Sequence, residues 1–360
     1  MEEITMPTIP EIKISIENKD LFVKDEFVRK GNFQHSSNGN LIMFTGGFTA
    51  VFPVVVQNEK WAFRCWHANM GNTAQRLKEI AQCVKSSQVP YLCDFAYVDK
   101  GILVEGNLYP TTRMRWVEGQ TIKEYICDNS YSKEKLHNLA DRFLALIKDM
   151  HNRGFAHGDL QHGNIMVDKN ESLFLVDYDS FYCPALKGEK DIIKGLPDYQ
   201  HPARNKNLFA NEKLDWFSEL IIYTSIFAIA ENPGLVAKYQ LANSEKMLFS
   251  KNDFNDINSS IIYKDLKSMN NSRVSKLLEI LSYYLSKKSI DELAPFYNLL
   301  NDSELIKTTG AAKTTGGTKK NGTSDAVNEP ANKYVYCPFC GKKYYKPISK
   351  YCHHCGRKRL

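Results

Sequence analysis

Three residues carry the chemistry in this 360-residue sequence: Asp159, Asn164 and Asp177. Asn164 lies five residues and Asp177 18 residues beyond Asp159, in the stretches "FAHGDLQHGNIMV" and "ESLFLVDYDSFYC". Two carboxylates and an amide that converge can do phosphoryl transfer. One carboxylate, free of metal, takes a proton from an attacking hydroxyl; the second carboxylate and the amide hold Mg²⁺ against phosphate oxygens. The plainer alternative is that Asp159 caps a turn and Asn164 fills a left-handed position. Either residue alone favours that alternative; the three at this spacing favour the transfer site.

Such a site needs elements to position it. "KEKLHNLADRFLALIKDMHNRG" has apolar residues every three or four positions and a Gly stop at Gly154, which predicts a long helix leading into the loop. "NIMV" and "SLFLVD" then read as a short hairpin. "KLDWFSELIIYTSIFAIA" is almost uniformly apolar, as a helix buried on all sides would be. Up to about Trp116 the texture differs. "LIMFTGGFTAVFPVVV" and "KWAFRCWH" are β-branched or aromatic, with Gly46-Gly47 and Asn58-Glu59-Lys60 marking turns. One helical segment interrupts, "TAQRLKEIAQCVK", with Leu77, Ile80, Ala81 and Val84 on one face. A strand-rich unit followed by a helical one makes a bilobal α+β protein.

"HGDLQHGN" resembles the catalytic loop H-R-D-L-x-x-x-N of the protein-kinase superfamily, and "DYD" stands where D-F-G belongs. The resemblance runs over roughly residues 35 to 300. It implies a β-rich N-lobe over residues 1–117 and a helical C-lobe over 118–305. "TGGFTAVF" is similar to the Gly-rich loop over the ATP phosphates, which assigns Gly46 and Gly47 to the nucleotide. "WAFRCW" resembles the Val-Ala-Ile-Lys strand, with Ala62 against adenine and Arg64 in the lysine position; Glu79, 15 residues on, is then its partner. "RMRWVEG" looks like the hinge, which places Met114 as gatekeeper and backbone groups of Arg115 and Val117 at the adenine edge. Val51, Ala62 and Met166 would sandwich the base. "GLPDYQHP" is similar to G-T-P-E-Y-x-A-P, and in "LDWFSELIIY" Asp215 would anchor the catalytic loop. Asp159 is then the base, and Asn164 and Asp177 hold Mg²⁺ or Mn²⁺.

The sequence also departs from that pattern. Arg64 keeps the lysine's charge but is planar and bulkier. Gly158 replaces the Arg that answers a phosphate on the activation loop, Gln161 stands where a phosphate-contacting Lys is usual, Asp179 replaces the Gly of D-F-G, and Ala203 lacks the carboxylate of A-P-E. The leading expectation is an ATP- and Mg²⁺-dependent kinase acting on Ser/Thr hydroxyls of a protein substrate. A nucleotide-binding pseudokinase scaffold is the alternative.

Thr308–Lys333 is rich in Gly, Thr, Lys and Asn and reads as a flexible linker, within residues 306–334. After it, over residues 335–360, "YCPFCGKKYYKPISKYCHHCG" holds two C-x-x-C-G knuckles 11 residues apart. Tetrahedral Zn²⁺ takes four thiolates at about 2.3 Å, and Cys337, Cys340, Cys352 and Cys355 supply them. The segment resembles a Cys₄ zinc ribbon. His353 and His354 inside the second knuckle read as solvated. The ribbon's Lys, Arg and Tyr side chains suit a protein-docking module first and nucleic acid second; a nucleic-acid binder with a kinase-like regulatory domain is a third reading.

Charge divides along the chain. From Ile306 onward twelve Lys and Arg face Asp325 and Glu329, so a net +6 leaves the first 305 residues at −4. Cys65, Cys83, Cys93, Cys127 and Cys183 lie among apolar residues and read as buried free thiols, which suits a reducing compartment. An acidic, Pro-broken N-terminus argues against a signal peptide, and no run approaches the ~20 apolar residues of a membrane helix. The expectation is a cytoplasmic protein with no membrane partner.

Overall fold

The structure, a computed structural model, describes residues 5–69 and 73–301. These fall into two compact units, one of residues 5–69 and 98–113, the other of 73–97 and 114–301. The expected linker at 306–334 and the zinc ribbon at 335–360 lie outside the described residues.

The first unit is built on a sheet. Strands β1 (Asn32–Phe33), β2 (Phe44–Thr45), β3 (Thr49–Val56), β4 (Glu59–Trp66), β5 (Phe95–Val104) and β6 (Asn107–Arg115) take the order β1-β3-β4-β6-β5, with β2 also on β3. The turn between β2 and β3 contains Gly46 and Gly47, and Gly46 N–H bonds Thr49 O at 2.9 Å. The turn into β4 differs from expectation: it is Gln57-Asn58, at φ 51° and 67°, and Glu59 already belongs to the strand. Two consecutive residues at positive φ make the tight turn whose twist suits a hairpin.

Period-two alternation sorts β3 and β4 into two faces. Phe52, Val54, Val56, Trp61, Phe63 and Cys65 are buried in one core with Ile12, Ile16, Val23 and Val28. Ile12 and Ile16 lie on α1 (Ile9–Glu17), Val23 just after α2 (Lys19–Phe22) and Val28 on α3 (Glu26–Arg29), three helices absent from the sequence reading. A signal was present. Thr8 caps α1 in a full capping box with Glu11, and Pro10 sits in its first turn. Phe27 meets Trp61 edge-on at 4.8 Å between ring centres.

In the second unit α4 (Thr73–Ser87) buries Leu77, Ile80 and Val84, while Ala81 is half-buried. A small antiparallel sheet, β7 (Gly119–Thr121), β8 (Ile165–Asp168) and β9 (Leu173–Leu175), includes the expected hairpin. Helix α5 (Ile122–Asp128) leads to α6 (Lys133–Arg153), whose buried stripe is Leu136, Leu139, Ala140, Phe143, Leu146, Ile147 and Met150. Gly154, at φ 65°, ends α6 as expected. Helix α7 (Trp216–Glu231) is buried around most of its circumference and packs on α6. The helices α8 (Gly234–Lys238), α9 (Lys251–Asn255), α10 (Ile261–Ser268), α11 (Ser272–Leu285) and α12 (Phe296–Leu299) complete this unit, with α11 also against α7. An antiparallel sheet with this helical body is consistent with the α+β, kinase-like class. Among the described residues no helix is long and apolar enough to cross a membrane.

All five described cysteines are free. Cys65, Cys93 and Cys183 are buried; Cys83 and Cys127 are only half-buried, which corrects the expectation for those two. Cys83 lies on the flank of α4 rather than among its inward residues.

Candidate active site

Gly154 turns the chain out of α6 into the loop 155–164. Paired backbone bonds between Ala156 and Tyr182, at 3.0 and 2.7 Å, fix its start. Asp215, buried before α7, accepts the backbone N–H of His157 and that of Gly158, the latter at 2.9 Å. His157 Nε2 bonds Val176 O at 2.9 Å. The loop is therefore held by a carboxylate below it and by the strand that leads to Asp177.

Asp159 and Asn164 meet on this loop. The Asn164 amide donates from Nδ2 to Asp159 O at 2.9 Å and reaches Asp159 Oδ2 at 3.5 Å. With Nδ2 committed, Asn164 Oδ1 is the group left to act as a ligand. Burial, together with the nearby Asp177 charge, pushes the Asp159 carboxyl above its ordinary value of 3.8. Asp159 Oδ1 also accepts the N–H of Leu196 at 3.0 Å. Gln161 turns its side-chain oxygen onto Gly163 N–H at 2.7 Å, so it closes the local turn.

Asp177 is exposed and left-handed, at φ 67° and ψ 76°, a conformation an Asp tolerates better than most residues. Its two neighbours explain how it is held there. Val176 N–H bonds Asn164 O at 3.0 Å. Tyr178, in the Phe position of D-F-G, is buried; its hydroxyl donates to Leu175 O and accepts from Cys93 N–H, each at 2.7 Å. Asp159, Asn164 and Asp177 thus share one unit and one set of backbone bonds.

The segment after Asp177 is tied down by a pair that the sequence reading missed. Arg204, buried, bonds Asp191 through Nε at 3.2 Å and Nη2 at 3.1 Å, and its Nη1 bonds the Gln200 side chain at 2.5 Å. This two-pronged contact ties the segment at Arg204, the residue after the acid-lacking Ala203. Tyr199 accepts Met247 N–H at 3.0 Å and bonds His162 Nδ1 at 2.6 Å. Gln200 is only four residues from Arg204, but Asp191 is 13 residues away and the partners of Tyr199 are 37 and 48 away, so no local pattern reveals those contacts.

The remaining predicted residues divide between the units. Val51 stands opposite Arg64, and Ala62 opposite Pro53, so Val51, Ala62 and Arg64 share the face of β3 and β4 away from the core. Gly46 and Gly47 lie in the turn before β3. Glu79 is on α4 in the second unit, where it accepts Gln75 Nε2 at 2.6 Å. Met114 is half-buried; Arg115 N–H donates to Asp94 O at 2.9 Å, so a base contact by Arg115 would use its carbonyl. Arg115 and Val117 line a cavity of about 460 Å³ with Leu92, Asp94 and Phe174. Met166 faces Phe174 across β8 and β9. Cys337, Cys340, Cys352 and Cys355 lie outside the described residues.

Among the described residues no three His, Cys, Asp or Glu side chains gather as a metal cage. The candidate donors on this frame, Asn164 Oδ1 and the Asp177 carboxylate, are hard oxygens. Mg²⁺ commonly takes one or two protein oxygens and completes its shell with phosphate and water, so this set fits it.

The sequence model of a family described as the ABC1 atypical kinase-like domain matches residues 110–189. That span is kinase-like. It runs from β6 through the loop 155–164 and Asp177, and so covers Met114, Arg115, Val117, Asp159, Asn164, Met166 and Asp177 of the predicted site. The kinase-like segment lies almost wholly in the second unit.

Proposed function

We propose that the protein is an ATP- and Mg²⁺-dependent kinase that transfers the γ-phosphoryl group to Ser/Thr hydroxyls of a protein substrate. The observation that carries this reading is the single hydrogen-bonded frame around Asp159, Asn164 and Asp177. Asp159 orients the substrate hydroxyl and accepts its proton as the oxygen attacks the γ-phosphorus and the bond to the β-phosphate oxygen breaks, releasing ADP. Oδ1 accepts Leu196 N–H at 3.0 Å, whereas Oδ2 has only the longer 3.5 Å approach of Asn164 Nδ2, which favours Oδ2 as the acceptor of the proton. Asn164 Oδ1 and Asp177 would hold Mg²⁺, which neutralises phosphate charge when bound. Val51, Ala62, Met114, Val117 and Met166 are assigned to the base, Gly46 and Gly47 to the phosphates, and Arg64, paired with Glu79, to the α- and β-phosphates. The Gly195–Pro202 segment beside Asp159 supports a protein substrate. The Cys337, Cys340, Cys352 and Cys355 ribbon is assigned one Zn²⁺ and the docking of substrate or partner.

Calorimetric binding of ATP with Mg²⁺ tests the division of labour. Asp177→Ala is expected to abolish Mg²⁺-dependent binding, whereas Asp159→Asn leaves it nearly intact. Equal, wild-type binding by both variants would show that Asp177 is no metal ligand.

A further inference from the structure

Arg76 stands in the first turn of α4, and its side chain reaches the segment just after Asp177. Nε donates to Asp179 O at 3.4 Å; Nη2 donates to Ser180 O at 3.1 Å and Phe181 O at 3.0 Å. Three successive carbonyls, 103 to 105 residues away in sequence, thus converge on one guanidinium. The group sits in a partly buried place, and burial lowers its pKa although Glu189, Asp191, Cys183 and Asp179 pull the other way. Its Nη1 is buried with no hydrogen-bond partner among the described residues.

The opposite side of the same carbonyl row is Gly158. It has φ 78°, and a Cβ there would fall 2.3 Å from Ser180 O. The residue before Asp159 is glycine because the Ser180 carbonyl occupies the space a side chain would need. Ser180 O therefore lies between the catalytic loop, which only makes room for it, and Arg76, which binds it. Cys83, two turns further along α4, comes close enough to Cys183 for the two thiols to perturb each other's protonation. Helix α4 also packs on the 3₁₀ turn Pro184–Leu186.

We propose that Arg76 is a positioning residue for the Asp177 metal site, holding residues 179–181 so that Asp177 keeps its left-handed conformation beside Asn164. The inference rests on Asp177 being the metal-holding carboxylate. Tyr178 fixes the segment on one side of Asp177's 3₁₀ turn (Tyr178–Ser180), and Arg76 fixes its far end. The planar fork meets the three carbonyls in a fixed geometry, whereas a lysine ammonium is a point charge with rotatable donors on a flexible stem.

ATP binding measured with and without Mg²⁺, on wild type, Arg76→Met and Arg76→Lys, tests this, with thermal melts to establish folding. Hydrogen bonds from a charged group predict a roughly ten- to hundredfold weaker Mg²⁺-dependent affinity in Arg76→Met. Affinity without Mg²⁺ should stay within about twofold, and Arg76→Lys should recover part of the loss. Unchanged Mg²⁺-dependent affinity in Arg76→Met overturns the assignment while leaving the reading of Asp177 intact. Equal losses with and without Mg²⁺ also overturn it, since they mark a general structural fault. A wild type that shows no Mg²⁺-dependent ATP binding overturns the reading of Asp177 and the assignment with it. Should Arg76→Met fail to fold, the same comparison between wild type and Arg76→Lys decides: an intermediate, Mg²⁺-specific loss supports the role, and no loss refutes it.

Discussion

At Gly195 the backbone has φ 71°, and a Cβ would fall 2.4 Å from Asp159 Oδ1. Alanine there must displace either the segment or the carboxylate, and it must adopt a left-handed conformation that costs about 1–2 kcal/mol. Gly195→Ala is therefore expected to lose at least about tenfold in phosphoryl transfer, while its melting temperature falls only a few degrees. Initial rates beside a thermal melt check this; wild-type rates would mean that Leu196 N–H does not set the position of Asp159. At this scale the residues legible from spacing alone were those whose partners are close in sequence, whereas Asp215, 57 and 58 residues from the N–H groups it accepts, was legible only through the resemblance. Asn164 binds Asp159 five residues away, so spacing alone exposed the pair. Arg76 and Arg204 act on residues that the chain brings back from a distance, and an isolated arginine carries no mark of it. Gly158 was legible as a departure, but its cause, the Ser180 carbonyl, was not.

Helix α7 shows what periodicity delivers and what it hides. Its apolar run announced burial on all sides, and it is buried around most of its circumference, with Trp216, Phe227 and Glu231 half-buried. The run also contains Glu219, wholly buried, whose Oε1 bonds His151 Nε2 of α6 at 2.9 Å, while His151 Nδ1 bonds the Tyr297 hydroxyl at 2.8 Å. Burial pushes Glu219 up; for His151 burial pulls down, but the Glu219 charge and hydrogen bond outweigh it and raise it above 6.5. Both groups therefore hold protons more tightly folded than unfolded. The His151 contribution is fully present below its unfolded value near 6.5 and is lost as pH rises through the higher folded value; Glu219, also raised, acts in the same direction. Thermal stability is expected to decline with rising pH in a window that begins just above 6.5. Glu219→Gln should flatten that decline, because no buried charge remains to hold the His151 proton. Melting curves of wild type and variant across this range check the slope, and an unchanged slope would place its origin elsewhere. The N-terminal helices were the converse case. Their capping signals were short and local, and the Pro-broken composition masked them.

At the scale of the whole molecule, the order of strand-rich and helical textures was legible because each texture is a property of a long window. The division into units was harder to read, since α4 belongs by its contacts with residues 114–301 and a sequence gives no contacts. The basic tail with its paired C-x-x-C-G knuckles is, on the present proposal, an independent metal-dependent unit. One equivalent of zinc is expected per chain, and none in Cys352→Ser/Cys355→Ser. The melting transition of the kinase-like body should be the same in both. Metal analysis with calorimetry checks this; undiminished zinc would locate the metal at other residues. The most direct measurement of the central claim is transfer of label from γ-labelled ATP with Mg²⁺, followed on the full chain and its candidate protein substrates, for wild type and Asp159→Asn. Covalent label on Ser or Thr is expected with wild type and at least about a hundredfold less with Asp159→Asn, the loss expected when a general base is removed. Equal labelling by the two proteins, or ATP bound by wild type with no label transferred, would contradict it.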